Sequence, residues 1–233
     1  MSLRRIFVLL SVLSAGASVV WALPTAASGS APSKAPDAAG PPPKAPDEPS
    51  PPRAAFTLRG KLLTPDGAPA SQAVVYLETG SPAPIALPPV PKDSLIISQR
   101  GARFRPEFSV AVVGQTVELP NDDRIVHNVF SVSPVKKFDL GHYGQGERRS
   151  VRFERSGIVE LFCNIHETMQ GVIVVVPSAL FSLVAADGSF SIPNPPAGAY
   201  QIVGYARGGA QVRKPITLAD SSPAELVLTL NPQ

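Results

Sequence analysis

The chain of 233 residues contains a single cysteine, Cys163, so no internal disulfide can form. In an oxidising compartment a lone thiol is buried, free and oxidisable, or held by a metal. Charge is scarce too: charged residues make up 17% of the chain and the formal net charge is +3. So small and diffuse an excess does not build the concentrated basic face that nucleic acid requires. Phosphate-loop and dinucleotide fingerprints are missing, and no nucleophile elbow accompanies a Ser-His-Asp set. The Asp122-Asp123 pair stands in a Pro-Asn-Asp-Asp run with no nucleophile or general base beside it, and such carboxylates ordinarily accept backbone hydrogen bonds in turns. Catalysis is therefore not supported. Beyond the N-terminus no apolar run is long enough to cross a membrane.

The N-terminal region divides into two kinds of segment. Residues 1–27 have the layout of a secretory signal, with Arg4 and Arg5, an apolar run from Ile6 to Val20, and small residues at Ala22, Ala26 and Ala27. Cleavage is expected, and with it a periplasmic or secreted location. Residues 28–54 form a Pro/Ala-rich linker, expected to be disordered because it holds too little apolar surface to offset its ordering entropy.

From Ala55 onward the sequence reads as short strands and turns. Thr64-Pro65-Asp66-Gly67, Pro120-Asn121-Asp122-Asp123, Ala186-Asp187-Gly188 and Asn194-Pro195-Pro196-Ala197-Gly198 carry the residues that turns demand. Strands are expected at Ala73 to Leu77, Phe108 to Val113, Ile125 to Val132, Val151 to Phe153, Ile158 to Cys163 and Val172 to Val176. This spacing predicts an all-β sandwich or barrel, with at most one helical turn near Pro177 to Leu180.

Cys163 precedes His166 by three residues, His166 precedes Met169 by three, and His127 lies upstream after Arg124-Ile125-Val126. A period of two puts Val159, Leu161 and Cys163 on one face of a strand and Glu160 on the other. The loop from Asn164 to Met169 then returns His166 and Met169 to the sulfur, with Gly171 turning the chain into the next strand. Taken singly, a buried cysteine is usually a small hydrophobe and a strand histidine a satisfied polar group. Met169 is the only methionine besides the initiator, and a packing role explains it less well in a loop. A thiolate, two imidazoles and a thioether are the ligand types of a mononuclear blue copper site. Asn128 and Asn164 are expected to support these ligands by hydrogen bonding, Asn128 by tying the ligand loop and shielding the sulfur. His142 is expected to be a surface loop residue rather than a further ligand. The same donors accept zinc.

The runs QRGARFRP (99–106), LPNDDRIVHNVFS, FDLGHYGQGE and GIVELFCNIHETMQGVIVVV resemble, in this order, the cupredoxin family and its amicyanin-like and plastocyanin-like branch. The resemblance implies a Greek-key β-sandwich over 92–178. It also implies one type 1 copper ion, with His127, Cys163 and His166 as equatorial ligands and Met169 as the axial one. The flanking runs LRGKLLTPDGAPASQAVVYLE and AADGSFSIPNPPAGAYQIVGYARG resemble carboxypeptidase-regulatory-like, or prealbumin-like, sandwiches. The cupredoxin unit is thus expected to be inserted in a discontinuous second sandwich, 55–80 plus 181–233. The combination is also similar to exported proteins labelled methylamine utilisation proteins.

These resemblances imply single-electron transport between redox partners such as a c-type cytochrome or a dehydrogenase. The charge and the apolar runs lead to the further expectation of no nucleic acid and no stable membrane insertion after signal cleavage. The cluster Lys136, Lys137, Arg148, Arg149, Arg152 and Arg155 reads as a solvated strand face or as a docking patch for an acidic partner. Copper storage, delivery or sensing without electron traffic is the competing reading, and a metal-free adhesion module a third.

Overall fold

A computed structural model describes residues 56–79, 85–219 and 225–232. The expected signal and linker, residues 1–54, lie outside them. Among the described residues the chain is all-β, with strands and no helix. None of them forms a helix long and apolar enough to cross a membrane. The helical turn expected near Pro177 to Leu180 is instead a bend. There the Ser178 hydroxyl takes the Leu180 N–H at 3.3 Å, and the Leu180 carbonyl accepts from Leu77 N–H at 3.0 Å.

Alternating apolar residues close two separate hydrophobic cores. One gathers Leu58, Leu62, Val75 and Leu77 with Phe190, Ile192, Tyr200, Ile202 and Leu228. It lies between a three-stranded sheet, in the order Ser189–Pro193, Thr57–Leu63, Glu225–Thr229, and a four-stranded sheet, Phe181–Leu183, Ala73–Thr79, Gly198–Ala206, Gln211–Leu218. The other gathers Ile97, Phe104, Val117, Leu119, Val129, Val159, Leu161, Met169, Ile173 and Cys163. Its walls are the sheet Arg148–Arg152, Thr116–Pro120, Leu95–Ile96 and a five-stranded sheet, Phe108–Val112, Gln170–Val176, Gly157–Phe162, His127–Ser131, Phe138–Tyr143.

The unbroken Val-Ile run on an interior strand of the five-stranded sheet serves both of its faces. Ile173 and Val175 point into the second core. Val174 and Val176 meet Val74, Tyr76, Val203 and Tyr205 of the four-stranded sheet, together with Phe108, Val110 and Val112. Five of these valines are at most 1% exposed, and each contributes roughly 1.5–3 kcal/mol on burial. The two sandwiches are joined by a core rather than by a surface contact.

Close backbone approach explains two glycines. A Cβ on Gly60 would lie 2.1 Å from the Leu226 carbonyl oxygen and 2.6 Å from the Phe190 ring. Gly171, expected at a turn, lies inside the strand Gln170–Val176 and lets the buried Phe104 ring approach to 3.1 Å of its Cβ position. Half of the basic cluster is ion-paired. Arg148 pairs with Glu118 at 3.0 Å, Arg149 with Glu147 at 3.4 Å and Lys136 with Glu154 at 3.3 Å.

The strand Phe138–Tyr143 carries an irregularity in its pairing with His127–Ser131: Asn128 faces His142, yet Phe130 faces Asp139. The extra residue falls beside Gly141, at φ 70°, and switches the inward parity. Phe138 and Leu140 before it and Tyr143 after it therefore all reach the core, while His142 is exposed on the strand rather than in a loop. The Tyr143 hydroxyl donates to the Leu119 carbonyl at 2.9 Å and meets Gln99 Nε2 at 2.5 Å. Burial pushes this phenol up to about 12, and the Gln99 bond and Arg149 offset the rise only in part.

Two outcomes are expected. Gly60→Ala should destabilise the protein by about 1–3 kcal/mol through overpacking, measurable by urea denaturation. The Tyr143 phenol stays neutral in the fold to about 12, whereas in the unfolded chain it ionises near about 10. Its contribution is thus complete below the unfolded value and is lost as pH rises through the folded one. Tyr143→Phe should cost about 1 kcal/mol at neutral pH and make the alkaline decline shallower, as thermal melts across pH would record.

Candidate metal centre

The strand Gly157–Phe162 alternates as its sequence requires, with Val159 and Leu161 buried and Glu160 exposed, and delivers Cys163 to the core at 5% exposure. It runs antiparallel to His127–Ser131, in the register Phe162↔Phe130. The exit of the cysteine strand and the entry of the histidine strand therefore share one end of the sheet. His127 begins its strand, two residues later than the expected start at Ile125: Ile125 and Val126 lie outside it, each 48% exposed. Asn121 stabilises that approach by donating its amide to the carbonyls of Ile125 and Tyr143, both at 2.9 Å.

His127, Cys163 and His166 each direct one ligand atom into a common space, all within 4.8 Å of one another. Nδ1 of His127 lies 3.2 Å from Nδ1 of His166, and Cys163 Sγ lies 3.8 Å from the same nitrogen. The rings meet edge to face at 4.8 Å between centroids. Metal–nitrogen bonds of about 2.0–2.1 Å and metal–sulfur bonds of about 2.3 Å, at angles between tetrahedral and trigonal, separate donors by about 3.4–3.8 Å. The N/N/S donor chemistry thus fits a soft or borderline ion such as copper or zinc, and the donors, all within 4.8 Å of one another, stand close to those separations with the His127 and His166 nitrogens slightly nearer. Met169 is fully buried in the core that holds Cys163, and its N–H donates to the His166 carbonyl at 2.9 Å, closing the loop.

The two asparagines act differently from each other. Asn164 lies in the loop and its Oδ1 meets Nε2 of the exposed His142 at 3.2 Å. Asn128, expected to tie the ligand loop, instead donates Nδ2 to Asp139 at 2.6 Å. The reason is register: Asn128 pairs with His142 on the adjacent strand, which also carries Asp139.

Asp123 reads from sequence only as a turn former, yet it touches His127, one of the three clustered side chains. Its Oδ2 lies 2.8 Å from Nε2 of His127. It also accepts the N–H groups of Gly101 at 2.7 Å and Ala102 at 2.9 Å. Those amides form the two-residue tip of the hairpin that joins Ser98–Gln99 to Phe104–Arg105, closed by Arg100 N–H on the Arg103 carbonyl at 2.9 Å, with φ 67° at Gly101 and 50° at Ala102. The left-handed conformation costs a non-glycine residue about 1–3 kcal/mol, and here it aims two successive donors at one carboxylate. Burial works against the Asp123 charge, but the amides of Ala102 and Gly101 and the His127 ring outweigh it and hold the pKa below the ordinary value. The contact was invisible in sequence because the hairpin tip lies more than twenty residues upstream.

No protein-family model and no curated protein matches the chain. Solved structures similar to part of it include a copper-containing nitrite reductase from Thermus scotoductus SA-01, at 25% identity and a TM-score of 0.35, covering 41% of this chain and 25% of that one. This chain thus spans a quarter of that enzyme's length. A purple cupredoxin from Nitrosopumilus maritimus is similar at 25% identity and a TM-score of 0.32, over 36% of this chain and 100% of that one. A reduced amicyanin mutant is similar at 26% identity and a TM-score of 0.33, over 43% of this chain and 99% of that one.

Proposed function

We propose that the protein is an exported carrier of single electrons with one type 1 copper ion. His127, Cys163 and His166 would hold it, with Met169 as a further, weak thioether ligand. The observation that supports this reading is the convergence of two imidazoles and the only thiol at one sheet end, in a core that also buries Met169. Copper bound there would supply one-electron chemistry between Cu(I) and Cu(II). The remaining work belongs to the chain. Strand ends and a closed loop hold the donors in one arrangement, which keeps reorganisation small. Cys163 is only 5% exposed, in the core that also holds Val129, Leu161 and Phe104, which limits water at the sulfur. His166 is half-buried beside the exposed Ile165, and His127 follows the exposed Ile125 and Val126, so this end of the sheet offers apolar side chains to a partner such as a c-type cytochrome or a dehydrogenase.

The reading includes the domain arrangement. Residues 92–178 form a cupredoxin-like unit set within a sandwich built from 55–80 and 181–233, in line with the membership of the two cores. The periplasmic or secreted location rests on the N-terminal sequence.

Titration with Cu(II) should give an intense visible charge-transfer band that saturates at one equivalent, and Cys163→Ser should abolish it. Met169→Leu should keep the band and change the reduction potential, because the axial ligand tunes it. A colourless wild type at saturating copper removes the proposal. Irreversible voltammetry with transfer of Cu(I) to an acceptor protein favours storage or delivery instead.

A further inference from the structure

We propose that Asp123, clamped by the tip of the Gly101–Ala102 hairpin, is a positioning residue that commits Nε2 of His127 to a proton and turns its Nδ1 lone pair toward the metal site. The part of this inference that concerns the metal rests on the function proposed above; the part that concerns the imidazole does not.

The argument begins with the number of acceptors that face His127. Its side chain is fully buried, so each ring nitrogen needs a partner. Nε2 lies 2.8 Å from Asp123 Oδ2. An ionised carboxylate only accepts, so Nε2 is the protonated nitrogen. Nδ1, 3.2 Å from Nδ1 of His166, is then the lone-pair atom, and it is the atom that faces the cluster. A ligand histidine without such a partner divides its proton between two tautomers, and only one of them binds metal through Nδ1.

Asp123 can impose this choice because it is itself immobilised. Gly101 N–H binds Oδ1 and Ala102 N–H binds Oδ2, and Asp123 N–H donates to Asn121 Oδ1 at 2.9 Å. Neighbouring Asp122 is tied to Ser98 Oγ at 2.5 Å, and Asp122 N–H donates to the Gln99 carbonyl at 3.0 Å. The hairpin and the turn are thus stitched together at four contacts. The left-handed Ala102 has its structural purpose here, since it aligns consecutive amides on the carboxylate. A carboxylate on the far nitrogen also makes the imidazole a stronger electron donor than a carbonyl would. Asp123 should therefore favour Cu(II) over Cu(I).

The test uses the full chain with Asp123→Ala and Asp123→Asn. Long-range proton–nitrogen NMR on metal-free protein reads the His127 tautomer, chelator competition reads Zn(II) affinity, and voltammetry of the copper-loaded protein reads the potential. Wild type should show a single Nε2–H tautomer. Asp123→Ala should mix the tautomers and weaken Zn(II) binding about 10–100-fold. Asp123→Asn, whose carbonyl still accepts from Nε2–H, should restore the tautomer and most of the affinity while raising the potential. A folded Asp123→Ala protein with wild-type tautomer and affinity overturns the inference, as does an Asp123→Asn protein with an unchanged potential. If Asp123→Ala does not fold, the tautomer and potential of Asp123→Asn decide alone. A wild type that binds neither copper nor zinc removes the proposed function, and the metal-free NMR comparison still decides whether Asp123 sets the imidazole.

Discussion

A single rung of backbone pairing, Phe162 opposite Phe130, sets the geometry from which the rest follows. The strands are antiparallel, so continuing that register places Cys163 opposite Val129 and Ile165 opposite His127. Pairing stops there and the chains diverge. The gap at the end of the sheet is where sulfur and imidazoles meet, without a long loop to reach across. Packing holds the rung from both sides. The Phe130 and Phe162 rings lie 5.7 Å apart on one face, and Val129, Val159 and Leu161 fill the other. A slip of one residue would send Cys163 out of the core and Glu160 into it.

Much of this was legible in the residues, because strand alternation is a local property. Val159, Leu161 and Cys163 read as one face from sequence and are buried together. The double-sided burial of the Val172 to Val176 run follows from its lack of polar interruptions. The grouping of His127, Cys163 and His166 was expected from type and spacing, and the three side chains do lie together. What stayed hidden depends on partners remote in sequence. The parity switch at Gly141 cannot be read from FDLGHY, since period two makes Phe138 and Tyr143 opposite in facing. The bond from Asn128 to Asp139 is hidden for the same reason. Asp123 looked like an ordinary turn residue because only the hairpin tip, brought in by folding, gives its carboxylate a second task.

Polar groups surround the cluster as a nearly complete frame, each tied to a different part of the chain. Asn121 holds the approach to His127, Tyr143 and Gln99 lie beneath it, and Asp123 braces the ring from behind. Such a frame is costly to bury unless its members are paired, and most of these are. The stability of the β-rich scaffold and the placement of the ring nitrogens are thus supplied by the same bonds. Rigidity at the cluster is inherited from the turns around it.

The valine face shared by the two sandwiches has a further implication for motion. A sheet clothed on one side alone can fray at its ends while its centre holds. The sheet that leads to Cys163 is covered on both, so its central strands breathe only when the neighbouring sandwich loosens as well. The outlying sandwich, which contributes no donor atom to the cluster, thereby acts as a damper on the strand that presents the sulfur.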